Sequence, residues 1–465
     1  MQGNSKDMPA HYPMGMTIMT DHDRMEKNLH RIYQDDYGIP ASLIAVLDEA
    51  EESLSEPFSS VDALSAVNQL RLLREFQQQE VTDFHLNGST GYGYGDVGRE
   101  TLEAIFAGYF GGEAALVRSQ IVSGTHALAI GLYGLLQPGD GLISAAGPPY
   151  DTLRTIIGSQ GEKGSLLDIG VQYKEIPLAE SQTDPQNEGL PSCVVDLPCL
   201  LAGIEDNTRV VLFQRSKGYD WRHSISIQEL SLLIQEVKEK KADLICLVDN
   251  CYCEMTGTVE PGTVGADLVI GSLIKNPGGT LAPGGGYIVG REDLVQDCVR
   301  RMLAPGLRAD LGASLGFNRL AYQGLFQAPF TVGQSLKGAM LAAAFFHRLG
   351  YPVMPEAGGY SSLSGGIDRR SDIVQGIRLD DREKLIRFCQ GIQKACPLDA
   401  VFTPEPSMLP GYNHPVIMAG GGFVQGSSSE LSADGPLRPP YIAYLQGGSS
   451  LAQIRLGLLL AACAL

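Results

Sequence analysis

From residue 114 to residue 302 the chain alternates short apolar runs with segments of helical period, and this alternation restricts the possible folds more than any other feature. "AALVRS" is followed by "SGTHALAIGLYGLL", a turn that opens a helix; "DGLISAAG" is followed by "YDTLRTIIG", and "RVVLFQRS" by "SIQELSLLIQEVKEKK". "DLICLVDN", "ADLVIGSLIK" and "GGYIVG" read as three more strands, and "REDLVQDCVRRML" as an amphipathic helix. Apolar strands separated by helices predict a mostly parallel sheet covered on both faces. Sheets of that kind bind their ligands beyond the carboxyl ends of the strands.

The flanking regions differ. Residues 21–80 read as helical, with Ser60 as a candidate N-cap in "SSVDALSAVNQLRLLREFQQQEV". The glycine- and tyrosine-rich "HLNGSTGYGYGDVGRE" is a loop, and "ETLEAIFAGYFGG" is a helix stopped by its glycine pair. Beyond about residue 323 the alternation fades, and "SLKGAMLAAAFFHRLG", "DDREKLIRFCQGIQKA" and "SLAQIRLGLLLAACAL" are the helices of the C-terminal part. The expected organisation is a helical segment over 1–88 packing with the small domain, a large domain over 89–322, and a smaller C-terminal α/β domain over 323–465.

With 465 residues, 44% hydrophobic and 19% charged, the chain can build two or three globular units. A formal net charge of -18 argues against nucleic acid and anionic membrane as partners, because the summed field repels phosphate. No apolar run approaches a membrane span of ~18 residues, and "MQGNSKDMPAHYPMGMTIMTDHDRMEKNLH" has no apolar signal core, so a cytoplasmic protein is expected. Nine scattered cysteines fit reduced thiols. Cys251 and Cys253 have no further ligands at metal spacing nearby, and no metal site is expected.

Four features at strand ends carry chemistry. In "SGTHAL", Ser123, Gly124 and Thr125 open a helix, where free amides and the positive dipole end suit a phosphate; an ordinary N-cap uses the same residues. In "GPPYDTL", Tyr150 offers a ring that could stack on a flat cofactor, with His126 as its competitor. In "LICLVDNCY", Asp249 needs a partner for its buried charge: a protonated ring nitrogen, an arginine or a helix N-terminus would each serve. In "GSLIKNPGG", Ser272 brings a hydroxyl and Lys275 an amine, whose pKa burial would lower, making it a nucleophile toward a carbonyl. The plainer reading of Lys275 is a side chain that snorkels out of the sheet end. Together, in this order, the four features are what pyridoxal phosphate requires: a phosphate cradle, a ring stack, a partner for the ring nitrogen and a lysine to hold the aldehyde. A rival reading of "GGTLAPGGGYIVG" as a nucleotide loop lacks the G-K-[ST] element.

The segments "GYGYGDVGRETLE", "SGTHAL", "GPPYDTL", "VDNCYCE", "GSLIKNPGG", "GGYIVGR" and "LQGG" resemble the fold type I pyridoxal-phosphate enzymes of cysteine and methionine metabolism. The similarity is greatest to the branch called aluminium resistance protein or methionine gamma-lyase family protein. The resemblance implies Lys275 as the Schiff-base lysine and Asp249 beneath the pyridine nitrogen. It implies Ser123, Gly124, Thr125 and Ser272 around the phosphate, and Tyr150 against the ring. Tyr92, Tyr94 and Arg99 would reach the phosphate of a neighbouring subunit, in a homodimer or homotetramer with shared active sites. The family's substrate-binding "RLSVG" is replaced here by "LRPPYIAYLQGG", which makes Arg438 the first candidate for the substrate carboxylate and Arg455 the second. Arg215, Ser216 and Lys217 in "QRSKGYDWRHS" are expected to line the site. The implied activity is elimination at Cβ or Cγ of a sulfur amino acid, giving a thiol, a 2-oxo acid and ammonia. An aminotransferase or a non-catalytic cofactor-binding stress protein are the alternatives. No cluster of oxygen ligands suggests a site for aluminium itself.

Overall fold

The computed structural model describes residues 21–159, 161–179, 194–356 and 370–465. Four helices lead in: α1 (Asp21–Arg31), α2 (Ala41–Glu52), α3 (Ser55–Gln78) and α4 (Val97–Phe110). α3 starts ahead of the expected Ser60 cap. Leu54 occupies the cap position with no side-chain hydrogen bond, and its burial in the core fixes the start instead. α4 ends as expected at Gly111, in the left-handed conformation that a glycine adopts at low cost.

The alternating region follows as β1 (Ala114–Arg118), α5 (Gly124–Leu135), β2 (Gly141–Ser144), α6 (Asp151–Ile157), β3 (Gln172–Glu175), α7 (Leu197–Gly203), β4 (Thr208–Gln214), α8 (Ile227–Lys240), β5 (Ile245–Asp249), β6 (Leu268–Ser272), β7 (Gly286–Gly290) and α9 (Glu292–Met302). These seven strands form one sheet in the order β1-β7-β6-β5-β4-β2-β3. β7 runs antiparallel to β6 and β1; the other neighbours pair in parallel. All residues of β2, β5, β6 and β7 are buried, which is why their sequences read as unbroken apolar runs. β3, "QYKE", gives no such signal because it is the edge strand and two of its four residues are exposed.

α10 (Phe317–Arg348) is a single 32-residue helix that contains Pro329 and extends well before "SLKGAMLAAAFFHRLG". Position 322/323, the expected domain limit, falls inside it. Beyond it come β8 (Val353–Met354), β9 (Gln375–Arg378), α11 (Arg382–Gln393), β10 (Val416–Gly420), β11 (Ser432–Pro436), β12 (Ile442–Gln446) and α12 (Leu451–Cys463). Their strands make a separate antiparallel sheet, β10-β11-β12-β9-β8. α11 and α12 approach so closely that a Cβ on Gly391 would lie 2.5 Å from the Ala461 Cα. The arrangement is thus the expected α/β one, a mostly parallel sheet plus a second, smaller sheet region. Among the described residues no helix is long and apolar enough to cross a membrane.

α2 is tied to α12 by charge. Arg455 donates to Asp48 Oδ1 at 2.7 Å and to Glu51 Oε2 at 2.5 Å. The guanidinium expected as second choice for a substrate carboxylate is therefore committed to two carboxylates of its own chain. Arg455→Ala is expected to lower the unfolding free energy by about 1–3 kcal/mol and to leave KM for an amino-acid substrate unchanged. Urea unfolding and steady-state kinetics would check the two parts.

Candidate active site

The carboxyl ends of β4, β5 and β6 and the N-terminus of α5 meet in one place. β5 ends on Asp249 and β6 on Ser272, with Lys275 three residues further. Ser123 caps α5, its Oγ accepting from the His126 N–H at 3.1 Å. Gly124 lies against both strand ends: a Cβ there would sit 3.1 Å from the Ser272 Cβ and 3.3 Å from the Cys251 Sγ. That close approach is why a glycine stands between the two hydroxyl residues. Tyr150 precedes α6. Its N–H donates to Gln214 Oε1 at 3.0 Å, and its hydroxyl lies 3.2 Å from Thr125 Oγ1, which is 3.2 Å from Thr152 Oγ1. His126, the competitor for stacking, accepts from the Val122 N–H through Nδ1 at 3.2 Å.

Asp249 is 3% exposed. Burial pushes its carboxyl up to about 6, although hydrogen bonds from Cys251, including its N–H at 3.1 Å, and the charge of Lys275 act the other way. Among the described residues, an ionised Asp249 is thus without a full counterion. Lys275 Nζ donates to Tyr252 Oη at 2.8 Å and lies 4.3 Å from the centre of that ring. Burial pushes the amine down as expected, but Tyr252, Cys251 and Asp434 push it up more strongly, so its pKa is raised rather than lowered. Burial also raises the Tyr252 phenol. At neutral pH the pair is therefore an ammonium donating to a neutral phenol. Tyr252 has a φ of 70°, which costs a non-glycine residue about 1–3 kcal/mol and is tolerated where the surroundings impose it.

The other expected residues divide. Arg99 is 2% exposed and donates to the carbonyls of Gly93 at 3.0 Å, Asp310 at 3.1 Å and Gly312 at 2.6 Å. Its Nη1 and Nη2 groups donate within its own chain, while its buried Nε has no hydrogen-bond partner among the described residues. Tyr92 and Tyr94 are 74% and 64% exposed, with ring centres 5.8 Å apart. Arg215 is buried; it donates to Ile225 O at 3.3 Å and to Asn250 Oδ1 at 2.6 Å, beside Asp249. Ser216 O accepts from the buried Arg222 at 2.7 Å. Lys217 Nζ donates to Asp372 Oδ1 at 2.6 Å and Val374 O at 2.9 Å. Burial alone would raise the Asp372 carboxyl, but Lys217 and Ser224 hold it below the usual carboxylate range. Arg438 is half-buried. It donates to Tyr219 O at 3.3 Å and lines a cavity of about 200 Å³ with Asp220, Trp221 and Tyr444.

Tyr252, Gln214, Asp434 and Tyr219 join the site without having been singled out from the sequence. Asp434, on β11, accepts from Tyr219 Oη and Gln446 Nε2, both at 3.0 Å, and its charge acts on Lys275. Tyr252 lies three residues after Asp249 in "VDNCYCE", which is the one local signal that could have indicated it. Among the described residues no group of His, Cys, Asp and Glu could hold a metal ion.

A mostly parallel seven-stranded sheet, a second antiparallel sheet and this set of strand ends make a fold type I architecture. The sequence profile of methionine gamma-lyase matches residues 43–465, and the chain belongs to that family. YnbB of Bacillus subtilis strain 168 is 45% identical over 409 residues, covering 88% of this chain and 92% of that protein. A Clostridium novyi NT structure, described as a carbon-sulfur lyase involved in aluminum resistance, is 38% identical with a TM-score of 0.85 over 96% of this chain and 99% of that one. A Bacillus cereus structure is 43% identical with a TM-score of 0.83, covering 91% and 99%. At 16% identity and a TM-score of 0.53, the pyridoxal-5'-phosphate-dependent protein YhfS of Escherichia coli shares the fold.

Asp249 titrates near 6 in the folded chain, above its unfolded value. The fold favours the neutral acid, so this contribution to stability is full below the unfolded pKa and is lost as pH rises through about 6. Asp249→Asn is therefore expected to stabilise the cofactor-free protein at pH 8 by on the order of 2 kcal/mol and to change little at pH 4. Unfolding curves at the two pH values would check this.

Proposed function

We propose that the protein is a pyridoxal-phosphate-dependent carbon–sulfur lyase acting on a sulfur amino acid. The observation that carries the reading is the convergence of Lys275, the buried Asp249 and the Gly124 cradle at adjoining strand ends. The residues fit the group. Gly124 leaves open the space that a Cβ would fill between Ser272 and Cys251. Among the described residues, Asp249 is a buried carboxylate without a full counterion, which a protonated ring nitrogen would supply.

Bound pyridoxal phosphate supplies an electron sink for the pair left at the substrate α-carbon. Lys275 would hold the cofactor through its amine and, as a free amine, would take the substrate α-proton. Asp249 would keep a proton on the ring nitrogen. Tyr150, whose hydroxyl lies 3.2 Å from Thr125 Oγ1, would supply an aromatic face for the ring. Ser123, Gly124, Thr125 and Ser272 bind the phosphate at the start of α5, where the helix amides and dipole favour an anion. Arg438 binds the substrate carboxylate, since its guanidinium lines a cavity and its hydrogen bond among the described residues is to a carbonyl at 3.3 Å. The products are a thiol, a 2-oxo acid and ammonia. The exposed Tyr92 and Tyr94 belong to a contact with a second copy in a homodimer or homotetramer.

The test is the absorbance spectrum of the purified protein with added pyridoxal phosphate, before and after borohydride, beside Lys275→Ala. A band at the edge of the visible that borohydride removes, and that the variant lacks, is expected. Incubation with sulfur amino acids is then expected to release ammonia, 2-oxo acid and thiol from wild type only. A cofactor-saturated wild type with no such band would refute the reading.

A further inference from the structure

We propose that the Tyr252 hydroxyl is a second acid–base group of the site, carrying a proton between the Lys275 amine and the sulfur that leaves. The proposal rests on the carbon–sulfur lyase reading and extends it to a residue which that reading does not use. Lys275 Nζ donates to Tyr252 Oη at 2.8 Å, a distance over which a proton passes directly. The phenol is held in place. Tyr252 O accepts from the Ile373 N–H at 3.2 Å, and the residue packs against the buried cluster of Val374, Ile442 and Tyr444. Its φ of 70° turns the residue out of the conformations that most side chains adopt, and does so at the position that faces Lys275. Tyr150 directs its hydroxyl to Thr125 at 3.2 Å, and Tyr219 donates to Asp434 at 3.0 Å.

The chemistry needs such a group. A sulfur at Cβ or Cγ is displaced from the α-carbon, so an amine placed to take the α-proton is not also placed at the sulfur. Written for β elimination, Lys275 Nζ takes the α-proton, and the pair of that C–H bond forms the Cα–Cβ double bond. The C–S bond breaks and its pair goes to sulfur. Tyr252 Oη gives its proton to the sulfur and receives one from the Lys275 ammonium. Amine and phenol are restored, the α-proton has in effect moved to the thiol, and no oxidant or reductant is consumed. Burial keeps Tyr252 protonated at neutral pH, so the proton is there to give. The charged and titratable groups that interact with the pair are Cys251, Asp249, Asp434, Tyr150, Tyr219 and Tyr412.

The test uses Tyr252→Phe, which keeps the ring, beside Tyr150→Phe and wild type. Two cysteine thioethers are compared, one releasing an alkyl thiol and one a nitrophenyl thiol whose thiolate leaves without a proton. Tyr252→Phe is expected to lower kcat for the alkyl thioether on the order of 10²–10⁴-fold and for the nitrophenyl thioether by less than about tenfold. A second readout needs no turnover. In the cofactor-free proteins, the pH dependence of Lys275 acetylation, followed by mass spectrometry, is expected to move to lower pH in Tyr252→Phe. Equal losses on both substrates, an unchanged Lys275 titration, or the leaving-group dependence appearing in Tyr150→Phe instead would each overturn the proposal. The borohydride-sensitive band separates the two readings. If wild type shows it and Tyr252→Phe behaves in one of those ways, only the relay falls; if wild type lacks it, the lyase reading falls and the relay with it.

Discussion

Asp249 ends a strand flanked by other buried strands, where a carboxylate loses most of its hydration. The cost shows in the carboxyl's rise to about 6. Much of the surrounding construction follows from having to support that group. Cys251 turns its N–H back to the carboxylate at 3.1 Å. Behind it, Arg215 donates to Asn250, which donates to the buried Glu260 at 3.1 Å, so the turn that follows the strand is braced from below. That bracing makes room for Tyr252 in its positive-φ conformation and sets its hydroxyl on Lys275. The acid and the amine are thus placed by the same turn.

The second sheet region completes the site. Ser429 Oγ donates to Lys275 O at 2.7 Å, and the Ser428 N–H to Ile274 O at 3.2 Å, so the backbone around the lysine is held from residues beyond β10. Asp434 reaches from β11 to Tyr219, and Lys217 from the loop after β4 to Asp372. Lys217 and Asp372 are both fully buried. Removing either partner would leave an uncompensated interior charge, costing about 3–5 kcal/mol. A pair of that kind fixes the relative placement of the segments it joins.

On the other flank, two arginines hold one loop. Arg99 donates to the carbonyls of Asp310 and Gly312, and Arg118 to those of Ala309 at 2.7 Å and Leu311 at 2.8 Å. Glu103 in turn accepts from Arg118 Nε at 2.6 Å. Two guanidinium groups spent on backbone carbonyls keep 309–312 against the "GYGYG" loop, and Tyr92 and Tyr94 are left facing outward.

The sequence by itself determined the layered architecture, because strands buried on both faces must be apolar throughout and the helices between them must be amphipathic. The positions of Ser123 to Thr125, Tyr150, Asp249 and Ser272 to Lys275 at strand ends or helix starts were legible too, since each is polar or aromatic beside an apolar run. β3 was not legible, because an edge strand needs no apolar residues. The start of α10 was masked by Pro329 and the polar residues around it. The pairing of side chains distant in sequence came from the packing of the elements. Arg455 looked available until Asp48 and Glu51 were brought to it, and Arg99 until its carbonyls were. Tyr252 and Asp434 looked ordinary until the turn after β5 and the second sheet placed them beside Lys275. Periodicity records which face of an element is buried, but which polar groups meet across the interior depends on how the elements pack, and no local pattern encodes that.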